Sequence, residues 1–491
     1  MIDTQYYIMC FLLWFLSALL LLKPLFKRRV TLYTPPSPPA LPVIGHLHLL
    51  GPILFKSLQI LSTKYGPLLY LRLGASWCLG VSTASMATEI YKTHDLTFAN
   101  RPTFAFNDKL PYGSNGFFTA CYGDYWRFIK KLFMTEFLSA KQVEQSRGVR
   151  HEEITWFLRK VLESAKKKEV LDMRAELMKL TNNFTCTVVM GMKCSDEGDE
   201  AERIRELVKE SFEVGAKLWF GDLLGPLRIL AFWRYGRQAM NVTLRYDEIL
   251  ERCLKQHEEC KERENEDLMD MLLKVCQDDK AEIKITRTQL KALSLEMFLG
   301  GTSTTTEAML WTIAELINHP NVFMEEFDVP SLPYLQAVVK ESLRSHPPLP
   351  VIVKECCEDC KIKDFDIPNK TMVAINVYAI TRDTNIWDYP NDFQPERFLV
   401  SSKENDGMEY IPFEAGRRVC PGSKLALSMI NITIAAMVQC FDWKLVGGEG
   451  DHNAKANMQV GAGFSMPMVQ PLTCLPVVHF NPCASTTLGD N

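Results

Sequence analysis

The chain opens on an apolar run, Tyr6 to Leu22, broken only by Ser17. These 17 residues stand at the short end of what crosses a bilayer as a helix. Lys23, Lys27, Arg28 and Arg29 follow, while Asp3 is the only charge before the run. That asymmetry predicts that the rest of the chain stays on the cytosolic side. A cleaved signal peptide fits less well, because the start is not basic and no small-x-small site precedes the charges. Pro35, Pro36, Pro38, Pro39 and Pro42 come next and lead to Gly45. Proline fixes φ and cannot continue a helix, so this stretch reads as a semi-rigid spacer. The predicted organisation is an anchor with a basic stop over residues 1–29, a hinge over 30–52 and one large domain over 53–491.

Within the large domain the spacing is mostly helical. Ile154, Phe157, Leu158, Val161 and Leu162 recur at i, i+3, i+4, i+7 and i+8, an amphipathic helix. Thr286 with Gln289 forms a capping-box start, and Asn318-His319-Pro320 forms a stop. The helix between them would span roughly 50 Å at 1.5 Å per residue. Its ends are apolar, but its middle reads Gly300-Gly301-Thr302-Ser303-Thr304-Thr305-Thr306. Each interior glycine costs about 1 kcal/mol against alanine. Two readings remain open here: a flat guest approaching the backbone, or a kinked polar helix with no guest. Thr371 to Tyr378 is rich in β-formers and predicts a strand, and Leu425 to Val438 predicts an apolar helix. The fold class is therefore mainly α with a small β-rich side.

Composition narrows the function. With 491 residues and a formal net charge of −4, the chain has no global basic field to hold nucleic acid. Its 15 cysteines are odd in number and irregularly spaced, unlike a secreted disulfide framework. Cys356, Cys357 and Cys360 lack a second Cys/His pair at zinc-finger spacing. No G-x-G-x-x-G nucleotide fingerprint occurs.

The frame Phe413-Glu414-Ala415-Gly416-Arg417-Arg418-Val419-Cys420-Pro421-Gly422 carries the strongest chemical signal. A buried thiolate ligand needs a tight loop, hydrogen bonds to sulfur and little competing solvent. Gly416 and Gly422 permit the turn, Pro421 stiffens it and Phe413 can shield the sulfur. The apolar, helix-like run Leu425 to Val438 follows, so its N-terminal dipole would favour the thiolate.

This frame, F-x-x-G-x-R-x-C-x-G, resembles the signature of the cytochrome P-450 superfamily. Glu341-Ser342-Leu343-Arg344 resembles that family's E-x-x-R helix, with Arg397 of Pro395-Glu396-Arg397-Phe398 as the third member of its structural cluster. Trp126-Arg127-Phe128-Ile129-Lys130 is similar to its W-x-x-x-R/K helix. The resemblance implies the P-450 fold and haem b, with Cys420 as the axial ligand of the iron. Arg418, Trp126, Lys130 and Lys354 would lie against the propionates, and Thr304 would act in dioxygen chemistry. A thiolate ligand favours O–O cleavage. The hinge and Pro395-Glu396-Arg397-Phe398 look most like plant membrane-bound members, in the branch acting on flavonoids and triterpenoids.

Two positions depart from the family pattern. Ser303 stands where an acid pairs with the threonine to deliver protons, and a serine hydroxyl is no proton reservoir near pH 7. Between His319 and Leu335 the chain lacks the further helix and acidic loop that members carry after positions like Phe323.

The expected activity is insertion of one oxygen atom from O2 into a hydrophobic plant metabolite. Electrons would come from NADPH through a cytochrome reductase facing Arg127, Lys130, Lys131, Arg417 and Lys424. By the same analogy Phe117, Phe118, Leu223, Leu299, Val351 to Val353 and Phe464 would face substrate. The expected location is the endoplasmic reticulum membrane, single-pass, with the catalytic domain in the cytosol. Two alternatives stand beside this: a haem-thiolate isomerase or dehydratase, which needs no groove acid, and a non-catalytic remnant, which the two departures favour.

Overall fold

The computed structural model describes residues 2–22, 32–103, 109–192, 199–223, 225, 228–259, 266–322, 332–400, 407–445, 455–463 and 465–480. Phe464 and the segment after Phe323 lie outside the described residues. The main helices are α1 (Ile2–Leu22), α2 (Leu54–Tyr65), α3 (Asp124–Leu132), α4 (Arg147–Lys167), α5 (Met173–Met190) and α6 (Asp199–Asp222). They continue with α7 (Arg228–Glu259), α8 (Leu268–Gln277), α9 (Arg287–Asn318), α10 (Leu332–Ser345) and α11 (Ser423–Cys440).

The β-rich side is a four-stranded sheet in the order β1 (Leu68–Leu73), β2 (Ser76–Val81), β7 (Met372–Asn376), β4 (Val351–Glu355). β2 and β7 run parallel and the other pairs antiparallel. β3 (Leu171–Asp172), β9 (Thr473–Val478) and β8 (Phe441–Leu445) form a second sheet, and β5 (Cys360–Ile362) pairs with β6 (Phe365–Ile367). The strand predicted over Thr371 to Tyr378 is shorter. The Asn376 side chain accepts the Ala379 N–H, caps a short helix at Val377–Ile380 and so ends the strand.

Helix α9 forms the spine, packed against α5, α7, α8, α10 and α11. It starts on the predicted capping box, with Thr286 and Gln289 each bonding the other's backbone. Its C-terminal half buries Met309, Leu310, Trp311 and Ile313 against Leu343 of α10 and Ile434 and Met437 of α11. Trp311 is fully buried, donates to the Met466 carbonyl at 2.7 Å and stacks on His346. The N-terminal half buries Leu293 and Phe298 against Leu250, Phe133 and Ile204.

The glycine- and threonine-rich middle is helical, and its hydroxyls bond back to carbonyls one turn earlier. Thr302 donates to the Phe298 carbonyl, Thr304 to Gly300, Thr306 to Thr302 and Thr312 to Ala308, at 2.6–3.0 Å. The two glycines answer different needs. A Cβ on Gly301 would sit 3.3 Å from Thr185 of α5, so its absence allows close packing. A Cβ on Gly300 would meet nothing within 4 Å, so that position opens onto free space.

Candidate active site

The loop that ends on Cys420 is shaped by its own backbone. Glu414 and Gly416 both adopt left-handed φ, at 63° and 66°. Only glycine fits the second position, since a Cβ there would press on the Asp95 carboxylate. The Cys420 N–H closes the loop by donating to the Phe413 carbonyl at 2.9 Å, and Phe413 itself packs against the main core. Burial pushes the Cys420 thiol up, while the N–H groups of Gly422 and Ser423 at the start of α11 and the Lys130 ammonium pull it back. A half-buried sulfur with those donors would be deprotonated by coordination to a metal cation.

Three buried cations converge on this loop. Arg418 is buried and spends its guanidinium on the carbonyls of Ala99 at 2.7 Å, Ala120 at 2.6 Å, and Phe117 and Phe118 at 3.4 Å. Burial, then repulsion from Arg101, lowers its pKa to about 10. Lys354, fully buried on β4, reaches Glu414 at 3.0 Å. Arg101 pairs with the other oxygen of Glu414 at 2.5 Å and donates to the Val353 carbonyl at 2.6 Å. Its Nε is buried with no partner among the described residues. Neither Arg101 nor Glu414 was marked by sequence reasoning. Glu414 lies inside the quoted frame at an unassigned position, and Arg101 falls in no motif.

Residues 116–120 join the loop to α9. Phe118 N–H and the Thr119 hydroxyl donate to Glu296 of α9 at 2.5 and 2.8 Å, while the Phe118 carbonyl accepts from Arg418. Trp126 donates to the Phe117 carbonyl at 2.9 Å and stacks on its ring at 5.2 Å between centroids. Lys130 donates to the carbonyls of Arg417 and Val419 at 2.5 and 3.3 Å. On α9, Ser303 and Thr304 are half-buried and Gly300 is exposed. Glu307, one turn beyond Ser303, is buried and ion-paired with Arg174 of α5. Burial raises its pKa against the pull of Arg174.

Away from this loop, Glu341 and Arg344 form a two-bond pair at 2.7 Å with neither side chain exposed. Arg344 also donates to the carbonyls of Thr381 and Pro390, and Arg397 lies 3.5 Å from Glu341. Leu223, expected to face substrate, packs with Leu58, Leu69 and Met372 against the β1–β2 side, and Ala75 N–H donates to its carbonyl at 3.0 Å. Cys356 and Cys360 bring their sulfurs to 3.7 Å. Among the described residues the only three-membered group of potential metal ligands is His257, Asp267 and Asp270. Both aspartates form the capping box of α8, and both His257 nitrogens lie 2.7 Å from oxygen acceptors, so the group reads as a structural clasp.

A family model described as Cytochrome P450 matches residues 35–474. The chain belongs to the cytochrome P450 family. It is 42% identical over 484 residues to cytochrome P450 705A12 of Arabidopsis thaliana, covering 93% of this chain and 94% of that one. It is 37% identical over 517 aligned positions to beta-amyrin 24-hydroxylase of Glycine max, covering 99% and 100%. The alignment is longer than the 491-residue chain, so that relative holds residues this one lacks. The 3,9-dihydroxypterocarpan 6A-monooxygenase of Glycine max is 36% identical over 490 residues, covering 93% and 96%. Among solved structures, a zebra fish cytochrome P450 with progesterone superposes with a TM-score of 0.72 at 23% identity, over 86% of this chain and 99% of that one.

As a P450 the chain is a haem-thiolate oxidoreductase of the monooxygenase class, and its cofactor is haem b. The residues present fit that group. Cys420 offers the sulfur, and three buried cations around Glu414 leave positive charge and an orphaned Arg101 Nε for an anion. The open face at Gly300 leaves room for a flat ring.

Proposed function

We propose that this P450 hydroxylates a lipophilic plant specialised metabolite of triterpenoid or flavonoid class, drawing electrons from NADPH through a cytochrome reductase at the endoplasmic reticulum. The observation that carries the substrate class is full-length similarity to an enzyme named for hydroxylating beta-amyrin, alongside one named for a pterocarpan. Haem b supplies oxygen activation through a thiolate-ligated iron. Per turnover one oxygen atom enters the substrate, the other leaves as water, and two electrons and two protons are consumed.

This chain's residues have separate tasks in that reading. Cys420 ligates the iron, and Phe413 and the tight loop keep water from its sulfur. Arg418, Lys130 and Trp126 fix the propionate side of the site through the backbone carbonyls they hold. Phe117, Leu299 and Val351 offer apolar surface to substrate. Thr304 holds a proton at Oγ1, already donated to the Gly300 carbonyl, at the open stretch of α9. Ser303 relays a proton but does not store one. Glu307, four residues on and so along the same side of the helix, is the carboxyl offered in place of the missing acid, paired with half-buried Arg174.

Membrane attachment is supported by α1, whose residues 6–17 are exposed and largely apolar. A second apolar surface, Ile229, Leu230 and Trp233, stands 57–78% exposed at the start of α7. α11 also has the length and apolarity of a span, but it is packed in the core. Exposed Arg127, Lys131, Arg417 and Lys424 form a basic face beside the thiolate loop that suits an acidic reductase.

The test is incubation of membranes holding this chain and a reductase with NADPH and a panel of triterpenes and flavonoids. The expected result is an NADPH-dependent product one oxygen heavier from one of those classes. Turnover without NADPH would favour an isomerase or dehydratase. Loaded haem with no product from either class would overturn the substrate assignment.

A further inference from the structure

We propose that Glu414 is a positioning residue that competes with the haem propionates for Arg101 and Lys354. It would loosen cofactor retention and lower the iron's reduction potential while keeping the haem-free chain folded. The inference rests on the thiolate loop holding haem.

Glu414 occupies a backbone conformation that favours glycine, with φ at 63°, and turns its carboxylate inward until 9% of the side chain is exposed. Each oxygen has its own cation: Oε1 takes Lys354 at 3.0 Å and Oε2 takes Arg101 at 2.5 Å. The Lys354 ammonium is fully buried and otherwise faces the Tyr91 ring at 4.7 Å. A buried ammonium without a counter-charge is strongly unfavourable, so in the haem-free chain Glu414 is what makes Lys354 tolerable. Burial works to raise the Glu414 pKa, but Arg101 and Lys354 overcome it and hold the carboxyl below its ordinary range.

An entering propionate brings a second carboxylate to the same cations. Arg101 has a donor nitrogen, Nε, with no partner among the described residues, and Lys354 has remaining donor capacity, so both can share. Sharing leaves two carboxylates close together in a poorly screened interior, where like charges repel. Glu414 therefore opposes the propionate that its partners attract. The same buried negative charge, in the loop that ends on the iron's ligand, favours the more positively charged oxidised iron.

Glu414→Gln keeps shape and removes charge, and Glu414→Gly removes the side chain and its backbone strain. Three measurements are compared with the unchanged protein: haem transfer to a scavenger apoprotein, the reduction potential of the loaded protein, and thermal unfolding of the haem-free protein. We expect haem transfer to slow by about tenfold, the scale of one close charge pair. The potential should move positive in both variants, and the haem-free Glu414→Gln protein should melt lower. If haem-free Glu414→Gln does not fold at all, that supports its role as counter-charge, and the loaded protein still yields the other two values. Unchanged or faster haem transfer in both variants, or a potential that does not move, would overturn the proposal.

Discussion

Lys130 Nζ donates to the carbonyl oxygen of Arg417 at 2.5 Å, tying α3 to the loop that carries Cys420. The same ammonium reaches the Val419 carbonyl, so it braces the loop at two points next to the ligand. Lys130→Met keeps the aliphatic stem and removes both hydrogen bonds, at a net cost of about 0.5–1.5 kcal/mol each, because water can reach the exposed Arg417 carbonyl. Haem content per folded chain should fall in Lys130→Met and recover in Lys130→Arg, measured by pyridine haemochrome against total protein. Equal loading in Lys130→Met would remove Lys130 from the site.

The buried pair of Glu341 and Arg344 gives the largest stability effect expected. Glu341→Ala strands a guanidinium that has no exposure, which costs roughly 3–5 kcal/mol. The expected outcome is loss of most folded, haem-loaded protein on expression. Arg397 is 12% exposed and lies 3.5 Å from Glu341, so Arg397→Ala should cost clearly less. A yield for Arg397→Ala as low as that for Glu341→Ala would reverse this ordering.

Proton supply on α9 separates Thr304 from its neighbours. Thr304→Ala should raise hydrogen peroxide released per NADPH consumed, and Glu307→Gln should do the same if Glu307 stores the proton. Ser303→Asp should lower peroxide release by placing a carboxyl beside Thr304. If Glu307→Gln leaves coupling untouched while Ser303→Asp improves it, the stored proton comes from elsewhere.

Acid stability has a traceable contributor at the start of α9. Hydrogen bonds from Arg287, with help from Lys291, hold Glu251 of α7 down at about 2 against an ordinary 4.5. A depressed carboxyl stabilises fully above its unfolded value and loses that contribution as pH falls through the folded value. The stability gap between the unchanged protein and Arg287→Met should therefore close between about pH 4.5 and 2, followed by denaturant titration at several pH values. A gap that stays constant over that window would assign the effect of Arg287 to packing.

Much of this arrangement is legible in the chain itself. The Thr286–Gln289 box marks the start of α9 to the residue because capping is a local interaction. Cys420 stands out because a tight loop with glycines at fixed places is also local. Gly300 and Gly301 are harder, since the sequence cannot tell which glycine meets Thr185 and which meets open space. The strand at Thr371 to Tyr378 reads two residues too long at its end because Asn376 caps a helix, a side-chain choice that propensity does not see. Arg101, Glu296 and Glu414 escape entirely. Their meaning depends on partners 313, 178 and 60 residues away, which only the folded chain brings together.

The central claim is that Cys420 supplies the thiolate that holds the haem iron. The most direct measurement is the spectrum of the reduced carbonyl complex in the unchanged protein and in Cys420→Ser. The unchanged protein should show the long-wavelength Soret band of a thiolate ligand, and Cys420→Ser should lose it. A thiolate-type band that persists in Cys420→Ser would contradict the assignment and move the ligand to another cysteine.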